Sequence, residues 1–125
     1  MTAYLLVGAG GALGAMARFG LGGLIGTPAG AFPVATFAIN IIGSVLMGLL
    51  VGTLARLTPE WGATARLFLA VGVLGGFTTF SSFSLEAVSL IEKGEIALAV
   101  AYSVGTVILS LSGFGAGLFA IRALS

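Results

Sequence analysis

The chain has 125 residues, of which 58% are hydrophobic and 7% are charged. This composition indicates a membrane protein, because soluble domains of similar length carry a much larger charged fraction. The formal net charge of +1 provides no basic patch for nucleic acid, and a chain without cysteine or histidine has no disulfides and no thiolate or imidazole metal sites.

Four apolar segments are each long enough to cross a bilayer, at about 20 residues per span. We place them at residues 3–24, 33–55, 66–92 and 96–121, within a single transmembrane domain at residues 1–125. The first segment is expected to be retained as a span, because it lacks the basic region and cleavage site of a secretory signal. The connections are short, so neighbouring helices should be antiparallel. We therefore predict an all-α membrane protein.

Glycines separated by four positions recur along the predicted spans. Such spacings let helix backbones approach closely where lipid provides no hydrophobic drive for association, so we expect tight helix packing. The pairs are Gly10/Gly14, Gly22/Gly26, Gly48/Gly52, Gly72/Gly76 and Gly113/Gly117.

The first two spans contain one charged and one amide side chain, Arg18 and Asn40. Arg18 is expected at about 9 Å of depth, where it either snorkels to the interface or faces a water-filled vestibule. Asn40 is expected at about 12 Å of depth. Its amide either bonds a neighbouring helix or donates to a passing anion, and position alone favours neither role.

The third span contains GGFTTFSSFS, residues 75–84. Gly75 and Gly76 each weaken a helix by roughly 1 kcal/mol relative to alanine, and an interruption is predicted at residues 75–79. An interrupted helix in lipid must line a protein-buried or watery cavity. Unwound carbonyls near the midplane can hold a small cation. If two antiparallel copies met there, their carbonyls would converge on a structural Na+.

Aromatic and hydroxyl groups follow the predicted interruption. Phe80 and Phe83 share a helix face, where they either pack or present their positive ring edges to an anion. Glu86 lies too deep to snorkel easily and should face protein or water, with a hydroxyl such as that of Ser82 as its partner. The hydroxyls beside the two rings are those of Ser81, Ser82 and Ser84.

The fourth span carries a narrow polar stripe formed by Tyr102, Thr106 and Ser110. These hydroxyls either bond their own helix carbonyls or line a track for an anion. Such a track must bind the anion strongly enough for it to enter and weakly enough for it to leave.

The basic residues give almost no orientation bias. Three lie on the side of the N-terminus and two on the other, so the chain either inserts both ways, with opposite copies pairing, or has one fixed orientation. The first group is Arg56, Arg66 and Arg122, and the second is Lys93 and Arg18.

The chain resembles the Fluc (CrcB) family of bacterial and archaeal fluoride channels over essentially its whole length. The resemblance rests on GGALGAMARF at residues 10–19, on Asn40 in NIIGS, on GGFTTFSSFSLE at residues 75–86, and on Tyr102 with its downstream hydroxyls. It implies passive export of fluoride across the inner (plasma) membrane. It also implies an antiparallel, dual-topology homodimer with two pores and one central structural Na+.

The resemblance also implies roles for individual residues. The backbone carbonyls of Gly75 and Thr78 would ligate Na+, the ring edges of Phe80 and Phe83 would face fluoride, and Arg18 would lie in the vestibule. The rest of the implied fluoride pathway is Asn40, Ser81, Ser82, Ser84, Glu86, Tyr102, Thr106 and Ser110.

Other classes of protein account for fewer of these features. A proton-coupled exporter of the small multidrug type also has four spans and dual topology, but it uses a membrane-embedded carboxylate in the first helix, and this first helix has none. A non-conducting assembly subunit leaves Asn40 and the hydroxyl stripe unexplained. An enzyme is not expected, because no nucleophile, base and orienting group occur together.

Overall fold

The computed structural model describes residues 1–124, which contain helices and no strands. Four helical segments are long and apolar enough to cross a membrane. This confirms the prediction of an all-α protein with four membrane-spanning segments. Three of them are continuous helices, namely α1 (Thr2–Ile25), α2 (Val34–Leu57) and α6 (Ile96–Arg122).

The third segment, Gly62–Glu92, is interrupted. Its two halves are separated by Thr78 and Thr79, whose backbones are extended, with φ and ψ of −79° and 158° at Thr78 and −151° and 118° at Thr79. The first half consists of α3 (Gly62–Ala65), a π-helical stretch (Arg66–Leu74) and α4 (Gly75–Phe77), and the second half is α5 (Phe80–Glu92).

The interruption is narrower than the predicted residues 75–79. Gly75 and Gly76 remain helical, and only the two threonines leave the helix. Glycine lowers the free-energy cost of interrupting a helix, but it does not by itself interrupt one. The position of the interruption is set instead by the side chain of Asn40 in α2, which bonds the backbone of Thr79.

Two pairs of helices pack with their backbones in close approach. In the first pair α1 lies against the first half of the third segment: a Cβ added at Gly14 would fall on the carbonyl oxygen of Val73. In the second pair α2 lies against α6: a Cβ added at Gly117 would be 2.5 Å from the carbonyl oxygen of Val45. The predicted packing role is confirmed for Gly10/Gly14, Gly48/Gly52, Gly72/Gly76 and Gly113/Gly117.

The remaining glycine pair does not form a packing site. A Cβ at Gly22 would meet only the side chain of Ile39, at 3.9 Å, and a Cβ at Gly26 would meet nothing within 4 Å. Gly26 instead ends α1 in a conformation with φ of 65°, which glycine adopts without strain.

A buried aromatic cluster joins α5 to α6 and to the start of α2. Tyr102 is fully buried at its centre. Its ring centroid lies 5.5 Å from Phe32, 6.5 Å from Phe37 and 5.1 Å from Phe83. These contacts fix the height of α5 beside α6 and thereby the position of the residues that follow the interruption.

Candidate functional site at the interrupted span

Asn40 forms a reciprocal pair of hydrogen bonds with the backbone of Thr79. Its Oδ1 accepts from the Thr79 N–H at 2.8 Å, and its Nδ2 donates to the Thr79 carbonyl at 3.0 Å. In an unbroken helix the Thr79 N–H would donate to the carbonyl of Gly75. The interhelical role is therefore observed, and the second hydrogen on Nδ2 is left for another acceptor.

Gly43 lies one turn after Asn40 and makes room for the interruption. A Cβ added at Gly43 would fall on the methyl group of Thr78 and would lie 3.3 Å from the Phe77 ring. This contribution was missed by the sequence analysis. The i, i+3 spacing of Asn40 and Gly43 in NIIG places both on one helix face and is the pattern that could have indicated it.

Arg18 reaches inward rather than to the membrane surface. Its Nε donates to the Gly76 carbonyl at 3.1 Å, at the end of the first half of the interrupted segment. Arg18 also lines a cavity of about 300 Å³, together with Thr36, Thr79 and Ser82. The structure thus brings Arg18 to the interruption and to a polar cavity at the same time.

The hydroxyls around the start of α5 have different partners. Thr79 Oγ1 accepts from the Ser82 N–H at 3.1 Å and so caps the helix N-terminus. The Ser81 hydroxyl lies 3.2 Å from Thr79 Oγ1. The Ser84 hydroxyl donates to the Phe80 carbonyl at 3.0 Å, within its own helix. These bonds hold the first turn of α5 in place beside the interruption.

Glu86 is bonded across to α2. The Thr36 hydroxyl donates to Glu86 Oε1 at 2.6 Å, the short distance expected when the acceptor is a carboxylate. The expectation of a hydroxyl partner for Glu86 is confirmed, and the hydroxyl is that of buried Thr36 on the facing helix rather than that of Ser82.

The two phenylalanines lie side by side in different surroundings. Their ring centroids are 5.3 Å apart, with 58° between the ring planes. Phe83 packs inward against Tyr102. Phe80 is 77% exposed and faces outward from the protomer. One ring of the pair therefore lies in the interior of the protomer and the other on its exposed surface.

The hydroxyl stripe of α6 is buried and unpartnered within residues 1–124. The groups concerned are Tyr102 OH, Thr106 Oγ1 and Ser110 Oγ, so the alternative in which they bond their own helix is not observed. Thr106 and Ser110 line a cavity of about 320 Å³. Asn40, Thr79, Phe80 and Phe83 line the same cavity. This cavity and the Arg18 cavity both contact Thr79.

Gly75 and Thr78 lie on either side of the last residues of the first half. Gly75 is exposed on the protomer surface. The Thr78 N–H and hydroxyl both donate to the Leu74 carbonyl at 3.0 Å, and no donor from residues 1–124 reaches the Thr78 carbonyl. No cluster of three His, Cys, Asp or Glu residues suited to a metal occurs in the part of the chain that the structure describes.

These features together define a small multi-pass membrane protein with a polar interior at an interrupted helix. Residues 5–118 match the family described as CrcB-like protein, Camphor Resistance (CrcB). The chain therefore belongs to the CrcB family, and the family predicted from the sequence motifs is confirmed.

Curated relatives match along almost the whole chain. The chain is 48% identical over 128 residues to the fluoride-specific ion channel FluC of Novosphingobium aromaticivorans, covering 100% of both proteins. It is 50% identical over 127 residues to that of Phenylobacterium zucineum, covering 98% of this chain and 97% of the relative. It is 50% identical over 114 residues to the fluoride-specific ion channel FluC of Thermus thermophilus, covering 89% of this chain and 88% of the relative.

Proposed function

We propose that this protein is a fluoride-selective ion channel of the inner (plasma) membrane that lets fluoride leave the cytoplasm passively. The structural observation that carries the proposal is the pair of unpartnered hydroxyls, Thr106 and Ser110, in the same cavity as Asn40. The names of the relatives point to the same ion. The role is transport and not catalysis.

The cavity offers donors that suit a small anion. The second hydrogen of Asn40 Nδ2 and the hydroxyls of Thr106 and Ser110 replace part of the water that fluoride gives up on entering. The edges of Phe80 and Phe83 add weakly positive surface. Among residues 1–124, no Lys or Arg lines this cavity. A fixed cation would trap the ion, whereas these groups bind it weakly enough for release.

The remaining predicted pathway residues extend this route in the proposal. Glu86, held by Thr36, and the buried Tyr102 lie on the α5–α6 side, and Arg18 raises the concentration of anions in the second cavity. The hydroxyls of Ser81, Ser82 and Ser84, near the start of α5, belong to the same polar track in this proposal.

Export needs no energy-coupling site in this scheme. Fluoride enters an acidified cell as neutral HF, dissociates at cytoplasmic pH and accumulates. A negative-inside potential then drives the anion outward, with about 2.3 kcal/mol per elementary charge for every 100 mV.

We further propose that two copies assemble in opposite orientations. The interruption opens onto the protomer surface beside Gly75 and Phe80, and irregular backbone is not tolerated against lipid. A second copy related by a twofold axis in the membrane plane would cover it and create two equivalent pathways. The nearly balanced distribution of basic residues permits both orientations.

The carbonyls at the interruption fit a structural Na+ at that axis. The Gly75 carbonyl loses its usual helical donor to Asn40, and the Thr78 carbonyl has no donor among residues 1–124. Two copies would supply four such oxygens, and unwound carbonyls coordinate Na+ in other transport proteins. The ion would stabilise the interface and add positive potential beside the two pathways.

Growth of a bacterium that lacks its own fluoride export tests the proposal. Expression of this chain should restore growth in fluoride at acidic pH, where HF enters most readily, and should make no difference in chloride of equal concentration. Failure to restore growth, with the protein present in the membrane, would contradict the proposed function.

A further inference from the structure

Arg18 places a cationic donor at the C-terminal end of the first half of the interrupted segment. Its Nε donates to the Gly76 carbonyl at 3.1 Å, across 58 positions of sequence. The last carbonyls of a helix carry partial negative charge and lack donors, so a guanidinium is favourable there. Arg18 is only partly exposed, which limits its freedom to leave this position.

Two side chains donate hydrogen bonds to backbone carbonyls at the interruption. Gly76 accepts from Arg18, and Thr79 accepts from Asn40. The carbonyls of Gly75 and Thr78 accept a hydrogen bond from neither Arg18 nor Asn40. The bond to Gly76 holds the planar peptide group that joins Gly76 to Phe77, and this group shares the Gly76 Cα with the peptide group that carries the Gly75 carbonyl.

We infer that Arg18 is a positioning residue for the cation site: by holding Gly76, it aims the neighbouring carbonyls of Gly75 and Thr78 at Na+. This inference rests on one part of the proposed function, the Na+ site, and not on fluoride conduction itself. It assigns to Arg18 a task separate from attracting anions to its cavity.

Three substitutions separate the hydrogen bond from the charge. Arg18→Gln places an amide nitrogen where the arginine has Nε, so it keeps the donor and loses the charge. Arg18→Lys has a carbon at that point and its N–H donors one atom further along the side chain, so it keeps the charge and displaces the donor. Arg18→Met loses both. Arg122→Gln is the matched control, because Arg122 is an exposed cation at the end of α6.

The test measures thermal stability of the purified full-length protein against Na+ concentration, at constant ionic strength. Arg18→Gln and Arg122→Gln should have the wild-type half-stabilising Na+ concentration. Arg18→Lys and Arg18→Met should need about tenfold more, the factor that corresponds to roughly 1.4 kcal/mol of lost interaction. A general loss of folding would lower stability at every Na+ concentration without moving this midpoint.

The inference is overturned if Arg18→Lys behaves as wild type while Arg18→Gln follows Arg18→Met, since charge alone would then matter. It is also overturned if Na+ does not stabilise the wild-type protein, or if none of the variants moves the midpoint. Fluoride efflux from liposomes is measured on the same preparations. Loss of wild-type efflux with the Na+ pattern intact would refute the proposed function and leave this inference standing.

Discussion

Asn40 of the second span and Thr79 of the third exchange two hydrogen bonds, at 2.8 and 3.0 Å, where the third helix is interrupted. A single amide thus satisfies both backbone groups of a residue that has left the helix. In lipid these groups would otherwise each cost several kcal/mol. The same amide keeps one hydrogen for the cavity, so the side chain that stabilises the interruption also carries the donor that we propose for fluoride.

Two replacements of Asn40 should separate its effect on fluoride efflux from its effect on stability. Asn40→Asp keeps an acceptor for the Thr79 N–H but loses the donor and adds a negative charge, so efflux should fall at least about tenfold, as for the loss of roughly 1.4 kcal/mol. Asn40→Leu removes both bonds without adding charge, so its melting temperature should fall further than that of Asn40→Asp. Efflux from liposomes and thermal melting measure the two effects. Full efflux with Asn40→Asp would place Asn40 outside the pathway.

The hydroxyl of Thr106 should affect transport more than stability. This hydroxyl is buried without a partner in the described chain, so Thr106→Val removes an unsatisfied polar group. The free energy of unfolding should therefore stay the same or rise by about 1 kcal/mol, and the melting temperature should follow it. Fluoride efflux should nevertheless fall severalfold, because a donor to the anion is lost.

Thr53→Val is the matched control for Thr106. The Thr53 hydroxyl donates to the Leu49 carbonyl of its own helix at 2.8 Å and lines none of the cavities at the interruption. Its efflux should stay at the wild-type rate. Equal efflux from the two valine variants would mean that the α6 stripe plays no part in conduction.

Phe80→Ile and Phe83→Ile should both suppress efflux while the protein remains assembled, because isoleucine has no positive ring edge. They should differ in stability. Phe83 packs on Tyr102 with centroids 5.1 Å apart, whereas Phe80 is 77% exposed, so Phe83→Ile should be the less stable by about 1 kcal/mol. Efflux, gel filtration and thermal melting are the measurements. Near-normal efflux from both variants would argue strongly against ring-edge contact with fluoride.

A methyl group at Gly43 should displace the interruption. In Gly43→Ala the new Cβ meets the Thr78 side chain, and such overpacking typically costs 1–3 kcal/mol. The melting temperature and fluoride efflux should therefore both fall. Gly115→Ala is the control, since a Cβ there meets nothing within 4 Å and alanine is the better helix former. A Gly43→Ala protein as stable and active as Gly115→Ala would show that the hollow beside Thr78 is not needed.

The four spans and most of the glycine packing could be predicted from sequence because the bilayer restricts the choices. An apolar segment of about 20 residues has few alternatives to a helix in lipid. Small residues at a spacing of four within a helix let two backbones come into contact. Gly22 and Gly26 escape this rule because the helix ends at that point.

The interruption could be predicted to exist but not placed. Local propensity points to Gly75 and Gly76, whereas the extended residues are Thr78 and Thr79. The difference arises because Asn40, on another helix, competes for the Thr79 backbone. A hydroxyl partner for Glu86 could be predicted, but not which one, for a similar reason: Thr36 is 50 positions away in sequence and reaches Glu86 only through the packing of α2 on α5.

The voltage-driven release of fluoride from liposomes containing the purified protein tests the central claim most directly. A potassium gradient with a potassium ionophore sets the potential, and a fluoride electrode records the efflux beside a matched chloride measurement. We predict rapid release of fluoride and little release of chloride. Release at the rate of protein-free liposomes, or equal release of both halides, would contradict a fluoride-selective channel.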